Sequence, residues 1–254
     1  MVSPGVITMP DQKVAMVTGG TRGIGRAISL ALVESDVHVA AGYLSNSDAA
    51  DETSKAAAAL GGSISLHQVD IGDPDACLRY ASEVIESYGR IDYLINNAGI
   101  NIDRTVRRMT VEEWHSVMRI NISGCFYMVK AVIEHMIERK EGRIVNISSI
   151  IGQTGNVGQA NYATAKSGMF GLTKTLALEL AGKGITVNCV APGFISTDMM
   201  ASVPEKILAE IVGRIPVGRL GEPDEVAFAV MGLLDDRAGY ITGAVIPVNG
   251  GLDM

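Results

Sequence analysis

Beyond Lys13 the chain follows one repeated alternation: a short apolar run of strand length, then a longer stretch of helical periodicity, then another apolar run. Runs that are apolar throughout suit strands buried on both faces, and parallel strands need a crossover between them. The pattern therefore predicts an α/β fold, a parallel sheet wrapped by helices. Strands are expected at residues 14–17, 37–42, 64–68, 91–96, 143–147, 185–190 and 244–248, and seven suit a doubly wound sheet. Helices are expected at 25–34, 49–60, 74–88, 111–138 and 162–181, several bounded by Gly, Asp or Pro as helix ends are. No linker interrupts them, so the chain reads as an N-terminal tail, 1–12, and one domain, 13–254. The long departure is 193–222, with Pro204 and Pro216, followed by a last helix after Pro223. It follows a strand end, where a substrate lid would sit; a plain structural excursion has the same signature.

Composition narrows the partners. With 47% hydrophobic residues the chain can fill a sizeable core, and a net charge of −7 without a Lys/Arg-rich tract argues against a nucleic-acid partner. Any anionic ligand must be held locally. Cys77, Cys125 and Cys189 are widely spaced and odd in number, which fits core thiols in a reducing cytosol and neither a disulfide nor a metal site. Residues 1–10 lack a basic segment followed by an apolar one, and no apolar run approaches the ~20 residues of a membrane span. A cytoplasmic protein without a membrane partner is expected.

The first strand runs into Thr18-Gly19-Gly20-Thr21-Arg22-Gly23-Ile24-Gly25 and then into an apolar-periodic helix. Glycines let the backbone turn tightly and approach a pyrophosphate, while unpaired N–H groups and the helix dipole favour negative charge there. Tight strand-to-helix turns use Gly for purely steric reasons too, so the position after a first strand is what points to a dinucleotide. The choice between NAD and NADP depends on the end of the second strand, where an acid would take the ribose hydroxyls. Here Ala41-Gly42-Tyr43-Leu44-Ser45-Asn46-Ser47 contains none before Asp48. A 2′-phosphate would meet Arg22 and Ser45 or Asn46, so NADPH is expected.

Tyr162-Ala163-Thr164-Ala165-Lys166 sets a phenol and an ammonium four residues apart, on one helix face. A cation near a phenol favours the phenolate and brings the hydroxyl into the range useful for proton exchange. Such pairs are common as solvated surface neighbours; two further features give this one weight. Ser148-Ser149 follows a strand end, where open α/β sheets bind ligands, although a Ser there also serves to satisfy local backbone. Asn96-Asn97-Ala98-Gly99 follows another, and its amides and glycine would admit a cofactor ribose.

In this order and at these separations the segments resemble the short-chain dehydrogenases/reductases: 18–25 their T-G-x-x-x-G-x-G turn, 96–99 their N-N-A-G, and Ser149, Tyr162 and Lys166 their catalytic Ser and Y-x-x-x-K. The resemblance runs from Lys13 to the C-terminus and implies a Rossmann-type doubly wound parallel seven-stranded sheet with helices on both faces. It adds Asn121 as a fourth catalytic residue. It implies a cofactor site of Thr18, Gly19, Thr21, Arg22, Gly23, Ile24, Gly25, Ser45, Asp70, Ile71, Asn97, Ala98, Gly99, Tyr162 and Lys166, completed by Pro192, Gly193, Ile195 and Thr197 beside the nicotinamide. The implied roles are carbonyl polarisation by Ser149, protonation by Tyr162, and lowering of the Tyr162 pKa and ribose binding by Lys166. Asn121 would hold a water that relays protons to Lys166.

Within the family, residues 155–162 and the ending Pro247-Val248-Asn249-Gly250-Gly251 most resemble 3-oxoacyl-[acyl-carrier-protein] reductases of fatty acid synthesis and the similar acetoacetyl-CoA reductases. Both take 3-oxoacyl thioesters; reductases of free polyols, sugars or steroid-like ketones share the scaffold. Lys140 and Lys183, assisted by Arg139, match basic docking residues for an acidic acyl carrier protein, and would equally suit CoA phosphates or plain solvation. A homotetramer is expected, and Val117, Ile120, Met128, Val132 and Met136 on the 111–138 helix are the apolar surface read as its interface, or else as a wide core-facing stripe.

Overall fold

The computed structural model describes residues 12–201 and 203–253. The expected tail lies outside the described residues except for Gln12. The strands are β1 (Val14–Thr18), β2 (His38–Tyr43), β3 (Ile64–Gln68), β4 (Tyr93–Asn96), β5 (Gly142–Ile147), β6 (Ile185–Pro192) and β7 (Val245–Val248). All are parallel, in the order β3-β2-β1-β4-β5-β6-β7. The helices are α1 (Gly23–Glu34), α2 (Ser47–Ala59), α3 (Pro74–Tyr88), α4 (Val111–Met118), α5 (Gly124–Arg139), α6 (Ile151–Thr154), α7 (Ala160–Leu180), α8 (Asp198–Ala201), α9 (Glu205–Val212) and α10 (Pro223–Leu234). Strand order reverses between β1 and β4, so a crevice opens there at the carboxyl edge of the sheet.

Strand alternation divides the core into two layers. Met16, Leu94, Ile144 and Val187 face one way, onto Val84 of α3, Met128, Val132 and Met136 of α5, and Leu180 of α7. Val17, Ile95, Val145 and Val190 face the other, onto Ile28 and Leu32 of α1 and Val226 and Val230 of α10. Burial on both faces is why the strands read as continuous apolar runs. Helix ends follow local chemistry: Asp73 caps α3 ahead of Pro74, Gly89 closes it in the left-handed conformation, and Thr110 and Glu113 form a reciprocal capping box on α4.

The 111–138 segment departs from the single regular helix expected. Between α4 and α5 the residues Arg119–Ser123 form one widened turn, with the Gly124 N–H bonding the Arg119 carbonyl five residues back. One inserted residue slips the apolar stripe by a single position, and the broad apolar face of this segment masks that slip in the sequence. The apolar surface read there as an interface is core: Val117, Ile120, Met128, Val132 and Met136 are all buried. By length and composition the continuous rod Val111–Arg139 is long and apolar enough to cross a membrane, contrary to the reading that no run came near, and half of its apolar window is buried within the protein. The three cysteines are free and buried.

At the β2–β3 edge His38 is buried against Tyr88, ring centroids 4.0 Å apart, with its ring nitrogens 3.3 and 3.2 Å from the Ser63 and Ser65 hydroxyls. Burial, aided by the nearby His67, pushes its pKa down to about 4. The folded state therefore resists a proton that the unfolded chain accepts near ~6.5, so stability falls as pH drops from about 6.5 toward 4. The loss should be on the order of 2 kcal/mol, and denaturant titrations of His38→Gln should show it flattened.

Candidate active site

The β1–α1 turn is fastened to β4. Thr18 Oγ1 accepts from the Asn97 and Ala98 N–H groups (both 3.0 Å), and Asn97 Nδ2 donates to the Thr18 and Gly19 carbonyls at 3.0 and 3.1 Å. Gly19 is left-handed at φ 61°. A Cβ on Gly25 would stand 2.1 Å from the Gly19 carbonyl oxygen, so backbone fills the space that a side chain would need. Unlike α2, α3, α4 and α10, helix α1 has neither a side-chain cap nor an acid in its first turn. Its Gly23, Ile24 and Gly25 N–H groups thus form an uncapped anion-receptive end beside the crevice, which fits a dinucleotide pyrophosphate.

Around this end the expected residues divide. Arg22 is exposed at the N-cap and, among the described residues, has no carboxylate partner; Ser45 is exposed at the tip of β2. Thr21 is buried, and its carbonyl accepts from Thr53 of α2 at 3.0 Å. Asn46, next to Ser45, caps α2 through its Oδ1, which accepts from Ala49 N at 3.0 Å. Asp70 accepts from Gly72 N at 2.8 Å and pairs with Arg119 at 2.9 Å, which with that backbone bond holds its carboxyl below the usual range against the opposing pull of burial. Ile71 is buried against Gly124.

The residues expected to react converge from three elements. Ser149 follows β5 by two residues; its Oγ accepts from Ile151 N at 3.1 Å, and the side chain stands close enough to Tyr162 of α7 to favour the phenolate. Lys166 is buried one turn along, with Nζ 5.6 Å from the Tyr162 ring centroid, and donates to the Ile147 carbonyl at 2.7 Å. Asn121 lies in the widened turn, fully buried, with its amide closed onto Ile100: Oδ1 accepts from N at 2.8 Å and Nδ2 donates to O at 2.9 Å. Gly99 sits between Asn121 and Lys166; a Cβ there would lie 3.3 Å from Asn121 Oδ1 and 3.6 Å from Lys166 Nζ.

One expectation about this group is corrected. Lys166 was to draw the phenol toward ionisation, but burial dominates and raises the Tyr162 pKa, with Ser149 opposing and the charge of Asp103 adding to the rise. Burial also lowers Lys166 to about 8. The ammonium is directed at the Ile147 carbonyl, and both groups lose water, which disfavours each charged form.

The segment after β6 closes the crevice. The Pro192 carbonyl accepts from Ile150 N, Gly193 N donates to the Val248 carbonyl, and Ile195 is buried and pairs with Gly221. Thr197 reaches the glycine turn, 3.3 Å from where a Gly23 Cβ would stand. The long excursion therefore begins against the nucleotide end and then carries α8 and α9; Ser202 lies outside the described residues.

A family model described as enoyl-(acyl carrier protein) reductase matches residues 19–253. This chain belongs to the short-chain dehydrogenase/reductase family. It is 50% identical over 240 residues to an acetoacetyl-CoA reductase of Shinella zoogloeoides, spanning 94% of this chain and 98% of that relative. Against the 3-oxoacyl-[acyl-carrier-protein] reductase of Synechocystis the identity is 44% over 98% of this chain and 100% of the relative, and against the FabG enzyme of Thermotoga maritima 43% over 95% and 98%. As a member of this family the protein is an oxidoreductase that uses a nicotinamide cofactor.

Two groups of residues stand elsewhere than the sequence suggested, or went unnoticed. Lys140 and Lys183 each precede a strand by two residues, at the amino edge of the sheet, whereas Ser149 follows β5 at the carboxyl edge. The length of a six-residue strand, about 20 Å, separates them from their own chain's crevice. Arg139 is engaged at that far edge with buried Asp92, at 3.4 Å. Overlooked was the buried relay Asn96 to Asn146 to Thr173, with bonds of 2.9 Å each, which ties β4, β5 and α7 together beneath the reacting groups. Polar residues inside otherwise apolar strands were the available signal.

Proposed function

We propose that this protein reduces a 3-oxoacyl thioester to the 3-hydroxyacyl thioester with NADPH. The observation that carries the reading is the convergence of Ser149, Tyr162 and Lys166 beside the uncapped end of α1. A nicotinamide cofactor held at that end would supply the hydride that the carbonyl carbon receives. Ser149 is the donor that orients the carbonyl oxygen, its hydroxyl proton remaining available while Oγ accepts from Ile151. Tyr162 gives the oxygen its proton, and its raised pKa keeps the phenol protonated at neutral pH, as an acid must be. Lys166, lowered to about 8, exchanges a proton near neutrality and reprotonates the tyrosine.

Between thioesters, two observations favour the CoA form over the carrier-protein form: the relatives at about 50% identity are acetoacetyl-CoA reductases, and Lys140 and Lys183 lie far from their own crevice. NADPH oxidation assayed with acetoacetyl-CoA, an acetoacetyl carrier protein and a panel of free ketones tests the reading; turnover of free ketones alone would reject it. Preference for NADPH rests on exposed Arg22 with Ser45 and on the absence of an acid at the tip of β2. Replacing Arg22 by Ser should reduce the NADPH-to-NADH ratio of kcat/KM by about 10- to 100-fold, the value of one charge-assisted contact.

For assembly we propose a homotetramer carried by residues other than those first read. Phe126 is exposed on α5 beside a groove of about 530 Å³ lined by Ile122, Tyr127, Gly168 and Leu172, while Phe228 and Tyr240 are exposed around α10. Two separate apolar faces suit two two-fold axes. The buried free thiols are in keeping with a cytoplasmic setting.

A further inference from the structure

The loop between β4 and α4 borders the reacting groups and carries three arginines in an otherwise acidic chain. It is tethered beside Tyr162: Arg104 N donates to the Gly158 carbonyl at 2.8 Å, Arg104 pairs with Gln159, and Asn161 Nδ2 donates to the Ile102 carbonyl at 3.1 Å. Beyond Arg104 the chain turns sharply, with Arg108 N and Met109 N both donating to the Thr105 carbonyl, and ends at the Thr110 cap of α4. Arg107 and Arg108 ride on that turn, exposed, with Val106 76% exposed next to them.

The nearby Glu113 is committed elsewhere: it pairs with Arg104 at 3.5 Å and closes the α4 capping box. Among the described residues neither Arg107 nor Arg108 has a carboxylate partner. Two adjacent guanidinium groups held on a tethered turn repel one another until an anion joins them, and Arg is well matched to phosphate.

Resting on the thioester reading above, we infer that Arg107 and Arg108 form a phosphate subsite for the far end of the substrate's pantetheine arm. Because the chain folds back after Arg104, Arg107 and Arg108 stay close to the tether at Gly158, within the reach of a pantetheine arm that starts at Tyr162. One molecule can therefore place its ketone at Tyr162 and its phosphate at the turn. The chemistry is shared by the nucleotide phosphates of CoA and the phosphodiester that joins pantetheine to a carrier protein.

The test compares the wild type with the Arg107→Ser/Arg108→Ser double variant on three substrates: acetoacetyl-CoA, an acetoacetyl carrier protein, and acetoacetyl-N-acetylcysteamine, which has the same ketone and no phosphate. Calorimetric binding of free CoA is measured alongside, and needs no turnover. The expected result is a KM for acetoacetyl-CoA raised at least 10-fold with kcat nearly unchanged, a matching loss in CoA affinity, and the truncated thioester unaffected. A rise with the CoA thioester alone assigns the subsite to the nucleotide phosphates, and a rise with both phosphate-bearing substrates assigns it to the phosphate next to pantetheine. Equal effects on the truncated thioester, or unaltered CoA binding and KM for both phosphate-bearing substrates, would overturn the inference. Wild-type turnover of the truncated thioester checks the reduction reading separately.

Discussion

Tyr162→Phe should lower turnover by about 10³-fold or more while leaving cofactor affinity within a few-fold of wild type. The change deletes the hydroxyl next to Ser149 and leaves the ring beside Lys166 in place. Single-turnover NADPH oxidation and cofactor titration separate the two effects; a Phe variant with near-wild-type rate would remove Tyr162 from the chemistry. The wild-type pH profile should carry the same signature with opposite signs in the two directions. Because burial raises the Tyr162 pKa above the ordinary value, reduction, which needs the phenol, should persist through neutral pH and decline only in alkali. Oxidation of the 3-hydroxyacyl thioester needs the phenolate and should climb with pH across the alkaline range.

Gly25→Ala should destabilise the protein by about 3 kcal/mol and weaken cofactor binding by two orders of magnitude or more, although the substitution adds a single methyl group. The added carbon would stand 2.1 Å from the Gly19 carbonyl oxygen and 2.5 Å from Asn97 Nδ2. Neither can yield cheaply: the first is backbone in a left-handed turn, and the second holds that turn to β4 through two hydrogen bonds. Moving either displaces the N–H groups at the start of α1. Thermal unfolding and cofactor titration of the variant check this, and an unchanged midpoint with unchanged affinity would mean that the turn is not the rigid cradle described.

The fold was largely legible before any coordinates, because its signals are local. Strands buried on both faces read as apolar runs, helix ends need Asp, Pro or Gly for reasons internal to a few residues, and the turn at 18–25 announces its own backbone geometry. The placement of Ser149 after a strand end, and of Tyr162 and Lys166 one helical turn apart, is local in the same sense. What failed depended on distance through space. Five apolar residues of the 111–138 segment could face the core or a partner equally well in sequence, and packing put all five inside. Lys140 and Lys183 looked like companions of the active site until strand direction set them at the opposite edge of the sheet.

The amino-acid order alone thus determined which elements form and how they alternate, since those follow from contacts between near neighbours. Only the assembled structure decided the protonation balance of Tyr162 and Lys166, the closing of Asn121 onto Ile100, and the standing of Arg107 and Arg108 without acidic partners among the described residues. Burial and pairing are properties of everything that surrounds a group, and most of what surrounds these groups comes from distant parts of the chain.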